Sequence, residues 1–180
     1  MNESAVGAVS DANALADSVA ENATNGTAVG ITAAATDADA TNNTITYSLS
    51  DNAGGRFAID ASTGVVTVAN SSLLDREAAS SHTITVVATS ADGSTSSQSF
   101  NITINDVNES AVGAVSDANA ASDSIHENAA NGSTVGITAS ATDTDATNST
   151  VTYSLSDNAG GRFAIDALSL IHISEPTRPL

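Results

Sequence analysis

Four short clusters of acidic residues stand out, and their donor atoms are all oxygen. Glu21-Asn22 comes first, ahead of an Asn25-Gly26 turn; Asp37-Ala38-Asp39, Leu74-Asp75-Arg76-Glu77 and Asp106-Val107-Asn108-Glu109 follow. Carboxylates one residue apart can face a single cation, and asparagine amides or backbone carbonyls can complete the roughly six to eight oxygens that calcium takes. The chain has no cysteine, and its histidines lie outside these clusters. Zinc and copper are therefore disfavoured against a hard, oxygen-seeking ion. A single DxD is an ordinary solvated turn; four acidic groups in a fixed order point to a cation.

Whatever positions these groups is duplicated. The segment Asn2–Ala61 returns as Asn108–Ala167 with about 11 changes in 60 positions, and each acid of the first copy has an acidic counterpart in the second. So long a period fits tandem domains and not a solenoid, and one repeat has the size of a β-sandwich. The expected organisation is a complete repeat over 2–107, the N-terminal part of a second, truncated repeat over 108–167, and a foreign tail over 168–180. Met1 stands where the repeat places Val107, as a start on an internal GTG valine codon of a longer frame would give. The tail, LSLIHISEPTRPL, carries both prolines of the chain and resembles the translation of a transposase-type sequencing adapter, so it is left out of the fold expectation.

A formal charge of −17 without a single lysine excludes nucleic acid and anionic membrane surfaces as natural partners. Membrane insertion is not expected. Without cysteine, stability must come from a core or a metal instead of disulfides. Apolar and polar residues alternate in Thr44–Leu49, Val65–Val68, Thr83–Val86 and Ser99–Ile104, with turn signals at Asp51–Gly55, Thr63-Gly64 and Asp92-Gly93. Further strands are expected at Ala5–Val9, Val29–Ala35 and Phe57–Ile59. The fold class expected is all-β, a Greek-key sandwich of about seven strands per repeat.

Taken in order and spacing, the acidic groups resemble the calcium motifs of cadherin repeats, in the form found in large secreted bacterial adhesins. The resemblance implies calcium at the junctions of consecutive repeats, an extracellular or cell-surface location, and neighbouring repeats of the same chain as the partners joined through calcium. It further implies that Glu21 is the glutamate at the domain base, that Asp75 and Glu77 are the acids of the LDRE motif, and that Asp106, Asn108 and Glu109 form the linker motif. Asp143 and Asp145 would come from the next repeat. Asn2, Glu3, Asp37 and Asp39 would be half of the junction with a repeat upstream. Three positions depart from the pattern: Glu109 and Ser110 replace the linker aspartate and asparagine, the linker lacks a proline, and Ser90 stands where an aspartate is expected, with Asp92 displaced by two.

The function implied is a calcium-stiffened spacer in an adhesin, with any cell-surface or glycan target bound by other domains. The alternative is a carbohydrate-binding module, which needs exposed aromatic faces; Tyr47, Phe57, Phe100, Tyr153 and Phe163 sit instead at strand positions that suit a core. An enzyme is not expected. His82 and His126 have no nucleophile at a telling spacing, and His126 takes the place of Ala20 in the first copy.

Overall fold

A computed structural model of the chain describes residues 4–39, 41–147, 149–168 and 170–173. The expected ligands Asn2 and Glu3 lie outside the described residues. The chain divides into two compact units, Met1–Val107 and Asn108–Leu180.

Among its described residues, the first unit has eight strands: β1 (Ser10–Asp11), β2 (Ser18–Ala20), β3 (Ala28–Ala34), β4 (Ile45–Asp51), β5 (Phe57–Ile59), β6 (Val65–Val68), β7 (Ser81–Ser90) and β8 (Thr95–Asn105). They form two four-stranded sheets, in the orders β1-β3-β6-β5 and β2-β8-β7-β4. Alternation decides which face of each strand turns inward. Val29, Ile31 and Ala33 of β3, Phe57 of β5, and Val66 and Val68 of β6 meet Ile84, Val86 and Ala88 of β7 and Ile102 and Ile104 of β8 in one core. Most of these residues are β-branched, which suits a pleated, well-packed surface.

Two elements differ from the sequence expectation. The expected strand over Ala5–Val9 is replaced by the two-residue β1, paired with Ala34 and Ala33 of β3. Val6 and Val9 are both buried, three residues apart, and Gly7 N–H donates to Thr36 O at 2.7 Å. An odd spacing of inward residues does not fit the two-residue repeat of a strand. The parallel pairing of β2 with β8, Ser18 to Thr103 through Ala20 to Asn105, was not foreseen. Three residues are too few to show alternation.

At Gly30 the β3–β6 register shifts, and the backbone takes φ +88°. A Cβ there would lie 2.1 Å from Ala16 O, in the segment leading into β2. Gly30→Ala therefore combines a left-handed backbone penalty with a backbone clash, and is expected to cost about 3 kcal/mol or more of stability. Urea unfolding checks this; a loss below about 1 kcal/mol contradicts it.

The second unit has β9 (Ser116–Asp117), β10 (Thr134–Ser140), β11 (Phe163–Ile165) and β12 (Leu170–Ile173) in the order β11-β12-β10-β9. Residues 170–173, in the stretch left out of the fold expectation, form the strand β12. They pair with β11 and β10 much as β6 pairs with β5 and β3. The reason is that LIHI is a short, apolar, β-prone run arriving where a strand edge is vacant.

Candidate metal centre

β2 exists, in effect, to deliver Glu21. Its parallel pairing with the end of β8 continues as Glu21 N–H donating to Asn105 O at 3.1 Å, which sets Glu21 beside Asp106. The glutamate is 5% exposed, and both carboxylate oxygens are held by backbone: Arg76 N–H donates to Oε2 at 2.6 Å and Val107 N–H to Oε1 at 2.8 Å. One side chain thus ties the LDRE loop to the chain leaving β8. Buried Leu74 anchors that loop from below.

Glu21, Glu77 and Asp106 each offer an oxygen within 4.8 Å of the others. Oxygens around one calcium at about 2.3–2.6 Å can be no more than about 4.6–5.2 Å apart, so this spacing fits a shared ion. The donor set, all carboxylate, fits as well. Asp75 is exposed and outside this group of three. Its Oδ1 accepts from Ala78 N–H at 2.8 Å, and its charge reaches Glu77.

A second group lies at the other end of β8. Asp37 and Asp39, past the end of β3, and Asp92, in the turn between β7 and β8, also bring oxygens within 4.8 Å of one another. Asp39 N–H donates to Asp37 Oδ1 at 3.0 Å, and Asn43 Nδ2 donates to Asp39 O at 3.0 Å. Asp92 Oδ1 accepts from Ser94 N–H at 2.7 Å, whereas its Oδ2 is buried and accepts no hydrogen bond. An orphaned buried carboxylate oxygen fits an absent cation. The sequence placed Asp92 two residues from the expected position; folding returns it to the cluster.

In the second unit, Asp143 Oδ1 accepts from Asp145 N–H at 3.0 Å. Asp145, buried, accepts from Glu109 N–H at 2.9 Å through Oδ2 and from Thr147 N–H at 3.0 Å through Oδ1. Among the described residues of this unit, no three acids bring oxygens as close together as the two groups above. Asn108 is exposed.

The acids also shape the pH response. The backbone N–H of Glu77 is the largest influence on its carboxyl and lowers its pKa; burial and the charges of Glu21, Asp106 and Asp75 together outweigh it, so the pKa stands above the usual 4.5. Asp17 is raised from 3.8 by burial, then by the charge of Asp11 and a hydrogen bond with it. Asp60 and Asp92 are lowered from 3.8, chiefly by the N–H groups of Thr63 and Ser94. A carboxyl raised on folding binds its proton more tightly when folded, so the native state gains as pH falls toward that pKa. The lowered ones stabilise above 3.8 and stop doing so as pH falls through their folded values. In calcium-free buffer, stability is expected to rise from pH 7 to about 4.5 and to drop below about 3.8. Urea melts across this range check it, and a steady loss from pH 7 downward contradicts it.

A family profile of the cadherin domain matches residues 17–105. This span runs from the residue before β2 to the end of β8 and carries Glu21, Asp37, Asp39, Glu77 and Asp92. Residues 17–105 form a cadherin-like repeat. The chain is 32% identical to extracellular repeats EC22–24 of mouse cadherin-23, with a TM-score of 0.57, covering 99% of this chain and 56% of that one. It matches human protocadherin-24 EC1–2 at 24% identity and TM-score 0.60, covering 97% of this chain and 79% of the other. Extracellular cadherin domains 3–6 of protocadherin gamma B2 match at 21% identity and TM-score 0.73, with 99% and 45% coverage. The last two likenesses show the fold. The chain spans about half the length of the cadherin-23 and gamma B2 chains it matches. No curated protein matches it by sequence. Among the described residues, no helix is long and apolar enough to cross a membrane.

Proposed function

We propose that this cadherin-like repeat is a calcium-binding spacer of an extracellular adhesin of the large secreted bacterial kind, and not an enzyme. The observation that carries the calcium reading is the group formed by Glu21, Glu77 and Asp106, with Glu21 clamped by backbone N–H groups from both the LDRE loop and the chain after β8. Calcium supplies the positive charge that lets these carboxylates lie together; the chain supplies fixed oxygens. The spacer reading, in which calcium draws on Asn108, Glu109, Asp143 and Asp145 of the following repeat, rests on the order of the motifs along the sequence. Asn2 and Glu3 would serve the preceding repeat in the same way. The binding of a cell-surface or glycan target falls to other domains.

The glycan-module reading is less well supported. Phe57 lies in the core, Tyr47 and Phe100 pack against it, and the Tyr47 hydroxyl accepts from Ala35 N–H at 3.1 Å. No broad aromatic face is left by these three rings for sugar stacking.

With dissociation constants of about 10⁻⁴ to 10⁻³ M, as in extracellular modules, about 10 mM calcium stabilises by roughly 1.4–2.7 kcal/mol per site. The melting temperature should rise by roughly 6–20 °C, and an equal ionic strength of sodium should not reproduce this. Glu77→Ala should remove most of the rise, whereas Asp51→Ala, whose Oδ1 only accepts from Ala53 N–H, should keep it. Equal melting with and without calcium would overturn the reading.

A further inference from the structure

The second unit carries one finished sheet whose inner face is uncovered. Its order β11-β12-β10-β9 repeats β5-β6-β3-β1 of the first unit, and the register repeats with it: Phe163 pairs with Ile173 and Ile165 with Ile171, where Phe57 pairs with Val68 and Ile59 with Val66. The other sheet of the first unit, β2-β8-β7-β4, has no counterpart among the described residues of the second. Residues 108–180 contain no sequence like β7 or β8. The segments 124–126 and 151–157, which correspond to β2 and β4, form no strand. In the first unit β2 pairs with β8 and β4 with β7, so without the central two strands the outer two have no ladder to join.

Both segments nevertheless stand where that central pair would need them. The Tyr153 hydroxyl accepts from Ala141 N–H at 2.8 Å and Tyr153 N–H donates to Ala167 O at 3.0 Å. The Tyr47 hydroxyl and N–H of β4 make the same two bonds, with Ala35 and Ala61. A Cβ on Gly136 would lie 2.4 Å from Ser122 O, so the chain entering 124–126 approaches β10 as closely as the chain entering β2 approaches β3. Between these two walls the space is open. Cavities of about 210 and 460 Å³ share Ile137, Leu155 and Ile171 in their linings, and Ile125 is 38% exposed where its counterpart Val19 is 5% exposed.

The first unit shows what fills such a slot. There Ile84, Val86, Ala88, Ile102 and Ile104 of β7 and β8 are buried in one core with Val29, Ile31 and Phe57. Val135, Ile137 and Phe163 are the same residue types at the corresponding places, so the inner faces match. The outward positions of the hairpin are largely Ser and Thr, and Ser81–Asn105 holds a single carboxylate, so the acidic chain does not strongly repel it. The chain's own hairpin already closes the first unit. A second copy could lend its hairpin only by opening its own first unit, which leaves as much apolar surface uncovered as before.

We propose that the second unit is an acceptor for a β-hairpin supplied in trans by a separate chain. The partner is two antiparallel strands with Ile, Val or Ala at alternate positions on one face and Ser or Thr on the other. It enters between 124–126 and 151–157 as β7 and β8 lie between β2 and β4. Main-chain pairing with both segments and burial of the apolar face drive the insertion, and the preset walls reduce its ordering cost.

The test adds a synthetic peptide of sequence Ser81–Asn105 to the full chain in chelator and follows amide hydrogen exchange. Protection at Ile125, Tyr153 and Leu155 should rise about tenfold or more and saturate with peptide, and 108–173 should become resistant to protease, while amides of the first unit stay unchanged. A peptide carrying Val86→Asp and Ile102→Asp should do neither. Phe163→Ala in the chain should weaken peptide binding at least about tenfold, because the ring is enclosed only when the hairpin is in place. No added protection at about 1 mM peptide would overturn the proposal. Equal protection by the Asp-substituted peptide, or unchanged affinity in Phe163→Ala, would overturn it too. So would self-association of the chain alone that protects 151–157, since the occupant would then be a second copy's own hairpin.

Discussion

Limited proteolysis of the full chain is expected to digest residues 108–180 about a hundredfold faster than the first repeat, because protease attack follows the population of opened molecules. The two units share nearly the same sequence over 60 positions, so the difference must come from what covers their apolar faces. In the first unit Phe57 is 1% exposed and is enclosed by both sheets. Its counterpart Phe163 is only half-buried, and lines an open cavity of about 210 Å³ together with Ile125, Val135, Ile137, Leu155 and Ile171. Val135 and Ala139 are the buried hydrophobic residues described in that unit. Truncating a side chain costs in proportion to the contacts it loses. Phe57→Ala should therefore destabilise the first unit by about 3–5 kcal/mol, and Phe163→Ala should cost the second under about 1 kcal/mol. Equal protease resistance of the two units, or equal cost of the two substitutions, would contradict the argument.

Much of this was legible in the sequence, for physical reasons that also explain the gaps. Strands β4, β6, β7 and β8 alternate over four or more residues and are flanked by turn residues, so period and punctuation both mark them. β1 and β2 are two and three residues long, and their positions follow from backbone pairing with distant strands that no local pattern encodes. The Glu21 group was readable as motifs, because its members keep recognisable neighbours. What could not be read was that both Glu21 oxygens are occupied by backbone N–H groups from positions 76 and 107. Asp92 was obscured for a different reason. Its sequence offset from Ser90 misleads, since a tight turn can bring residues two apart to one point. Its Asp-Gly signal marked the turn, yet only the fold aims the carboxylate at Asp37 and Asp39. Residues 170–173 show the converse, a segment without a match in the first repeat that still takes a strand position by virtue of being apolar and nearby.

Glu21→Ala is expected to be the most damaging single substitution among the acids, and to be so even without calcium. Most surface carboxylates can be removed at little cost; this one is buried and serves as acceptor for two backbone donors, from Arg76 and Val107. Hydrogen bonds to a charged group contribute more than neutral ones, and each stranded donor adds a desolvation cost, so the calcium-free chain should lose about 2–4 kcal/mol. Calcium should then fail to restore the loss, because the group that tied the LDRE loop to Asp106 is gone. Glu21→Gln separates the two roles. Its amide oxygen can still accept from one of the two N–H groups, so stability without calcium should fall by roughly half as much, while the charge needed for the ion disappears. The exposed counterpart Glu127 provides the control: Glu127→Ala should stay within about 0.5 kcal/mol of the unmodified chain. Urea melts in chelator and in calcium read all three variants. If Glu21→Ala matched Glu127→Ala in chelator, the carboxylate would not be the brace between loop and linker that its two hydrogen bonds describe. If Glu21→Gln kept the full calcium-dependent rise, the ion would not depend on the negative charge at this position.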